Sequence, residues 1–393
     1  MMLGFLLARM GVDVIVLEKH GDFLRDFRGD TIHPSTLELM YELGILDEFL
    51  KRPHQEVREA TGHIGDELLK LADFTHLPTR CKFIALMPQW DFLNFLAEKG
   101  RRYPGFQVKM QAEVTDLIAQ NGRITGVIAK THAGTLEIRA RLTVGADGRH
   151  SVVRERAGLQ VMDLGAPMDV LWLRISRLPG DPSQILGHIL PGRLFIMLDR
   201  ESYWQCGFVI PKGGMDEFRQ RGMDQFREDI ARLAPFLRDR VTELHDWKDV
   251  SLLTVKVDRL QQWWRPGLLC IGDAAHAMSP VGGVGINLAI QDAVAAANIL
   301  GAKLVAGNVG DDDLRAVQHR REFPTCATQR LQLFVQERMI RRVLGRSRPL
   351  TAPWLLRLMQ QWPLLRRIPA RLIGMGFRPE HVRTPDIGVA SGA

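Results

Sequence analysis

The chain has 393 residues, 46% of them hydrophobic, enough to build two domains or one large α/β unit with an insertion. Fifty-two basic against 45 acidic side chains give a net charge of +7, which permits anionic ligands but marks no nucleic-acid surface. Cys81, Cys206, Cys270 and Cys326 show no metal or redox spacing, and no continuous apolar run reaches the roughly 20 residues of a membrane span; the chain reads as reduced, soluble and cytoplasmic, without stable membrane insertion.

Met1 to Gly11 reads as the second half of a helix closed by glycine, and Val12 to Glu18 as a buried strand ending in an acid. A dinucleotide fold places a first strand and a Gly-x-Gly-x-x-Gly turn ahead of such a helix and sets the acid on a ribose. Neither precedes this helix, so the sequence reads as starting late. A cloned truncation, a misplaced start codon and a shortened gene all fit. Arg25, Arg28 and Gly29 then lie in a loop before an amphipathic helix over 35–43, and Gln89 sits at the start of another over 87–96. Strands are expected over 108–116, 124–130 and 135–143, with Asn121-Gly122 a hairpin signal. A buried strand next ends at Asp147-Gly148, and Ser151 and Arg154 open a helix. Locally this is either an Asx turn with a serine-assisted helix start or a ligand site.

From about residue 166 the pattern changes to short alternating strands over 169–177, 184–190, 193–199 and 202–210, then a helical stretch over 215–240 and a strand over 252–257. Such an inserted, mostly antiparallel sheet can form a variable pocket wall. Trp172, Phe195, Met197, Tyr203, Trp204, Phe208 and Trp247 are candidates for that wall or its core, and His188, Tyr203 and His245 for polar groups facing a pocket. The stretch Gly267 to His276 follows, an apolar strand ending in Gly272-Asp273, then Pro280-Val281-Gly282-Gly283-Val284-Gly285-Ile286-Asn287 leading into an alanine-rich helix. That order sets a carboxylate and free backbone N–H groups at the carboxyl end of a strand, where α/β sheets bind ligands. An ordinary turn with a capping Asp is the alternative. A long helix over 314–341, interrupted near Pro324, and an apolar, arginine-rich tail close the chain; core or dimer packing is expected for the tail, and it could also lie on a membrane surface.

The paired Asp147-Gly148 and Gly272-Asp273…Pro280-x-Gly-Gly-x-Gly-x-Asn287 motifs resemble those of the single-component flavoprotein aromatic hydroxylases related to p-hydroxybenzoate hydroxylase. The resemblance spans roughly residues 3–297. It implies an α/β FAD-binding dinucleotide fold with an inserted, mostly antiparallel β-sheet substrate domain and C-terminal helices. The boundaries follow as an FAD-binding part over 1–165, a substrate domain over 166–258, a second FAD-binding part over 259–305 and a helical region over 306–393. By the same resemblance Glu18 meets the adenosine ribose, Arg28 the phosphate and ribityl region, Gln89 the ribityl region and Val114 the adenine. Asp147 serves FAD and the nicotinamide cofactor, Asp273 holds the ribityl chain, and Pro280, Gly282, Gly283, Gly285, Ile286 and Asn287 line the isoalloxazine. His276 belongs to the structural part of the motif, and Asp292 matches a family acidic position with either a structural or a functional role.

The implied activity is hydroxylation of a small, phenol-like aromatic substrate with NADPH or NADH and O2 through a flavin C4a-hydroperoxide. Epoxidation, halogenation or reduction on the same frame, or a truncated inactive remnant, are the alternatives. A homodimer is a candidate assembly. No metal constellation is apparent, and the residue that activates the substrate is not identified.

Overall fold

The computed structural model describes residues 1–24, 31–65, 67–182, 187–344 and 353–388. Arg25, Arg28 and Gly29 lie outside them. The helix Met2–Arg9 packs on the parallel pair Val14–Leu17 and Phe106–Lys109. Gly4 allows the approach, since a Cβ there would stand 2.8 Å from Val16 Cγ2 and 3.1 Å from Phe106. A second parallel pair, Thr143–Gly145 with Leu268–Cys270, belongs to a separate sheet extended antiparallel by Trp264–Arg265. Each strand of that pair ends beside an Asp loop, so the carboxyl edge of the sheet presents both Asp147 and Asp273. The helix Gly285–Val305 runs back from this edge and is buried along much of its length. It is long and apolar enough to cross a membrane by length and hydropathy, yet its alanines fill the core beside Leu6, Leu269 and Leu300.

The hairpin signal at Asn121-Gly122 holds. Glu113–Gln120, Arg123–Thr131 and Gly134–Arg139 form a three-stranded antiparallel sheet, with Asn121 and Gly122 at positive φ. The inserted sheet has seven strands, in the order Ser251–Leu253, Met168–Ser176, Tyr203–Pro211, Arg193–Asp199, Gly187–Leu190, Glu59–Ile64 and Glu67–Asp73. Its last two strands come from residues 59–73, outside the 166–258 insertion, and join through a parallel pairing of His188 with His63 and Ile189 with Ile64. All its other ladders are antiparallel.

Strand periodicity divides the two faces of this sheet. Phe195, Met197, Trp204, Cys206 and Phe208 turn toward the helices Met215–Arg221 and Met223–Leu233 and bury against Phe218, Phe226 and Ile230. Met168, Val170, Trp172, Leu194, Ile196, Leu198 and Val209 turn the other way, into a cavity. The helical stretch expected over 215–240 is broken at Gly222, whose φ of +87° no helix accommodates, and it ends in short 3-10 turns from Pro235 onward.

Pro324 does not interrupt its helix, which runs unbroken from Asp311 to Val335. Tertiary bonds hold it on both sides of the proline. Before it, Gln318 accepts from Trp263 N and donates to Gln261 O, each at 3.0 Å. Beyond it, Gln329 donates to Asp258 O at 2.8 Å and Gln332 to Ser279 O and Val281 O at 2.9 Å each. Local breaking is overridden by this docking.

Candidate active site

One cavity of 1980 Å³ lies between the two parallel pairs, the start of the Gly285–Val305 helix and the inserted sheet. It brings together Glu18, Gln89, Val114, Asp147, Asp273, Pro280, Gly282, Gly283, Gly285 and Ile286 from distant parts of the chain. Glu18 ends the strand Val14–Leu17 and accepts from His20 N at 3.0 Å. Gln89 opens the helix Gln89–Gly100, and Val114 lies in the strand Glu113–Gln120.

Asp147 forms the turn read from its sequence, and it also stands in the lining of the cavity. Ser151 Oγ donates to its Oδ1 at 2.5 Å and Val153 N to its Oδ2 at 3.1 Å, so the carboxylate fastens the helix Val152–Arg156 while also lining the cavity. Arg154 turns away from the cavity. Its guanidinium forks onto Asp258, with both N–O distances 3.2 Å, and donates to Arg149 O at 2.5 Å. Arg149 was not singled out from the sequence. It lines the cavity with Nη2 3.9 Å from Asp273 Oδ2, and its position two residues after Asp147 in the same loop was the available signal.

The Pro280–Asn287 segment is held from behind. Gly282 and Gly283 have φ of +80° and +62°, and a Cβ on Gly283 would overlap Thr31 Oγ1. Thr31 Oγ1 donates to Gly283 O at 2.9 Å. Asn287 faces away from the cavity: its Oδ1 accepts from His33 N at 2.9 Å and Thr36 Oγ1 at 2.8 Å, and its Nδ2 donates to Thr31 O at 2.9 Å. Its side chain therefore sets the loop's shape. Beneath the loop, His276 Nε2 meets Asp292 Oδ2 at 2.5 Å, Gly272 N donates to the same oxygen at 3.0 Å, and Arg321 Nε donates to Oδ1 at 2.9 Å. Burial alone would push the Asp292 carboxyl up, but His276 and Arg321 outweigh it and hold it below the usual carboxylate range. Both residues are structural on this geometry.

Of the aromatic wall candidates only Trp172 lines the cavity. Gly207 pairs with it across the sheet, and a Cβ there would stand 3.2 Å from Trp172 Cζ3, so the indole lies over the bare strand. Phe195, Met197, Trp204 and Phe208 went to the opposite face, and Tyr203 and Trp247 also lie outside the cavity lining, with Trp247 packed against that same core. His188 and His245 are absent from the lining as well. His188 instead stacks on His63 with ring centroids 4.8 Å apart, and burial together with the neighbouring imidazole lowers its pKa to about 4.

These residues suit a flavin dinucleotide. The helix Gly285–Val305 has no side-chain cap at its start, so its first N–H groups are available to partial negative charge at the cavity edge. Gly282, Gly283 and Gly285 offer bare backbone to a flat ring, and the Asp273 carboxylate, a third exposed, can accept from hydroxyls. Residues 1–330 match the family described as FAD binding domain. The chain belongs to this FAD-binding family of flavoproteins, related to the aromatic hydroxylases.

The chain resembles the 6-methylpretetramide 4-monooxygenase of Streptomyces rimosus, with 33% identity over 374 residues, 93% of this chain and 88% of the relative. It also resembles the dialkyldecalin synthase of Streptomyces rugosporus, with 28% identity over 364 residues, 87% of this chain and 72% of the relative. The crystal structure of p-nitrophenol 4-monooxygenase from Pseudomonas putida DLL-E4 superposes with a TM-score of 0.75 at 19% identity, covering 94% of this chain and 93% of that one. The architecture is thus the α/β FAD-binding fold of the p-hydroxybenzoate hydroxylase type with an inserted sheet and C-terminal helices, and the chain is an FAD-binding oxidoreductase.

Proposed function

We propose that this flavoprotein is a monooxygenase that hydroxylates an aromatic, phenol-like substrate with NADPH or NADH and O2. The observation that carries this reading is the facing of two unlike surfaces across one cavity. On one side stand Asp273, the bare backbone of Gly282 to Gly285 and the uncapped helix start; on the other, the apolar side chains of the inserted sheet. FAD, when bound, takes hydride from the nicotinamide and activates oxygen. Asp273 would hold its polyol chain, Glu18 a ribose hydroxyl, and the start of the Gly285–Val305 helix the electron-rich end of the ring. The sheet wall, with Met168, Val170, Trp172, Leu194, Ile196 and Val209, excludes water and orients a flat ring. The 6-methylpretetramide 4-monooxygenase supports the same direction of chemistry.

Gly62 and Gly187 lie side by side on this wall, and the packing around Gly62 leaves room for a side chain. A Cβ on Gly62 would meet its nearest atoms at 3.6 Å and one on Gly187 at 3.3 Å, and neither residue has a left-handed φ. Their bareness widens the floor in the row that runs from Trp172 across Gly207 and Ile196, and suits a fused-ring aromatic better than a single ring.

A second reading, a different flavoprotein reaction such as epoxidation, halogenation or reduction on the same frame, has a specific support. The seven-stranded sheet presents no carboxylate, lysine, histidine or tyrosine to the cavity among its described residues, so it offers no base to a phenol. The dialkyldecalin synthase likeness points the same way. Turnover of a hydroxylated anthraquinone in labelled dioxygen tests both. One labelled oxygen atom held as a ring hydroxyl supports hydroxylation. Label held in an epoxide, or a product without label, favours the second reading, and failure to hold FAD at all overturns both.

A further inference from the structure

Residues 353–374 carry a surface that the active site does not use. The helix Trp354–Gln361, the turn Pro363–Arg366 and the helix Arg367–Gly374 follow one another along the strand Glu67–Asp73. Gln360 fastens them, donating from Nε2 to Lys70 O at 2.9 Å and accepting from Lys70 N at 3.2 Å. Arg366 Nε closes the turn on Met359 O at 2.9 Å, and Met359, Ala370 and Gly374 are buried beneath. The outward side is left apolar: Trp354 is 75% exposed, Trp362 and Leu364 62% each, Ile368 59% and Leu355 51%. Isolated exposed apolar residues are ordinary, but five large ones on one short segment are not.

The charge on the same segment is of one sign. Between residues 353 and 379 stand Arg357, Arg366, Arg367, Arg371 and Arg378, with no acidic residue. Glu67 of the underlying strand stands 3.4 Å from Arg357 Nη2, and that pair is half exposed.

We propose that this face docks the protein on an anionic lipid surface. Tryptophan rings rest at the level of the headgroups, leucine and isoleucine enter the acyl boundary, and arginine forks bind lipid phosphates. Interleaving of the two kinds of side chain on short amphipathic helices fits an interface that is apolar below and anionic above. A second copy of this chain is the poorer occupant, because a two-fold contact through this patch would set its exposed arginines, Arg357, Arg367, Arg371 and Arg378, against themselves. Pro353 and Ile373 of the same segment also line the cavity, so the docking face and the active-site cavity share a wall. An apolar substrate dissolved in the bilayer would meet the protein beside that wall.

The test is co-sedimentation of the full chain with vesicles of phosphatidylcholine alone and of phosphatidylcholine with phosphatidylglycerol. Binding to the anionic vesicles only, weakened by salt and accompanied by a blue shift of tryptophan emission, is the expected result. The double variants W354A/W362A and R367E/R371E change exposed side chains, so their thermal melts should match the parent while the bound fraction falls about tenfold. Absence of binding to anionic vesicles at low salt overturns the proposal, as does binding that neither variant reduces. A concentration-dependent dimer abolished by W354A/W362A, without vesicle binding, assigns the face to self-association instead. None of these outcomes bears on the flavin site.

Discussion

Arg321 donates from Nε to Asp292 Oδ1 across 2.9 Å with both side chains fully buried, and Asp292 Oδ2 receives His276 and Gly272 N from the loop that carries Asp273. Glu380 joins from the C-terminal segment, 3.3 Å from Arg321 and 2.6 Å from Arg320. One carboxylate thus ties the cavity loop, two long helices and the tail. Asp292→Ala leaves the Arg321 charge buried without its main partner and should cost about 3 to 5 kcal/mol in urea unfolding.

The same carboxylate gives a pH dependence. Its folded-state pKa is depressed, so its contribution is present above the unfolded value of about 4 and lost as pH falls through the lower folded value. The stability gap between parent and Asp292→Asn should therefore be widest near neutrality and narrow below about pH 4. A gap independent of pH would contradict the assignment.

Two glycines separate folding from cofactor binding. A Cβ on Gly283 overlaps Thr31 and its φ is +62°, so Gly283→Ala should lower stability by about 1 to 3 kcal/mol even in apoprotein. A Cβ on Gly285 would meet Met278 at an ordinary 3.7 Å and lie 4.0 Å from Asp273 Oδ1. Gly285→Ala should melt like the parent and hold FAD more weakly, which flavin fluorescence titration measures.

Asp273 is a third exposed, and Arg149 Nη2 stands 3.9 Å from its carboxylate. Asp273→Ala should leave the apoprotein's stability within about 0.5 kcal/mol of the parent. Loss of a hydrogen bond from a ribityl hydroxyl to a charged group, about 1.5 to 3 kcal/mol, predicts a Kd for FAD raised about 10- to 100-fold. Equal FAD affinity in the two proteins would remove Asp273 from the cofactor site.

The wall glycines set substrate size. Gly62→Val and Gly187→Val should raise KM for a three-ring probe such as alizarin about tenfold or more and leave that for phenol nearly unchanged, with FAD retention intact. Gly207→Val meets the Trp172 ring and should raise KM for both by tilting the indole into the cavity. Steady-state oxidation of the nicotinamide with each phenol distinguishes the two patterns.

The sequence determined what depends on neighbours along the chain. Gly272-Asp273 at a strand end, the turn glycines that follow and the alternating strands of the insertion were legible because backbone conformation and period act over a few residues. Only the tertiary structure decided which side chains face the cavity. Asn287 sits inside the most specific motif yet spends its amide on His33, Thr36 and Thr31. Arg149 reaches Asp273 from a strand end more than a hundred residues away. Pro324 stays helical because Gln318, Gln329 and Gln332 dock its helix on distant loops. Phe195 and Trp172 looked alike as apolar strand residues, and they parted because the helices 215–221 and 223–233 cover one face of the sheet and leave the other to the cavity. Alternation says that a strand has two faces, and long-range packing alone says which of them is inside.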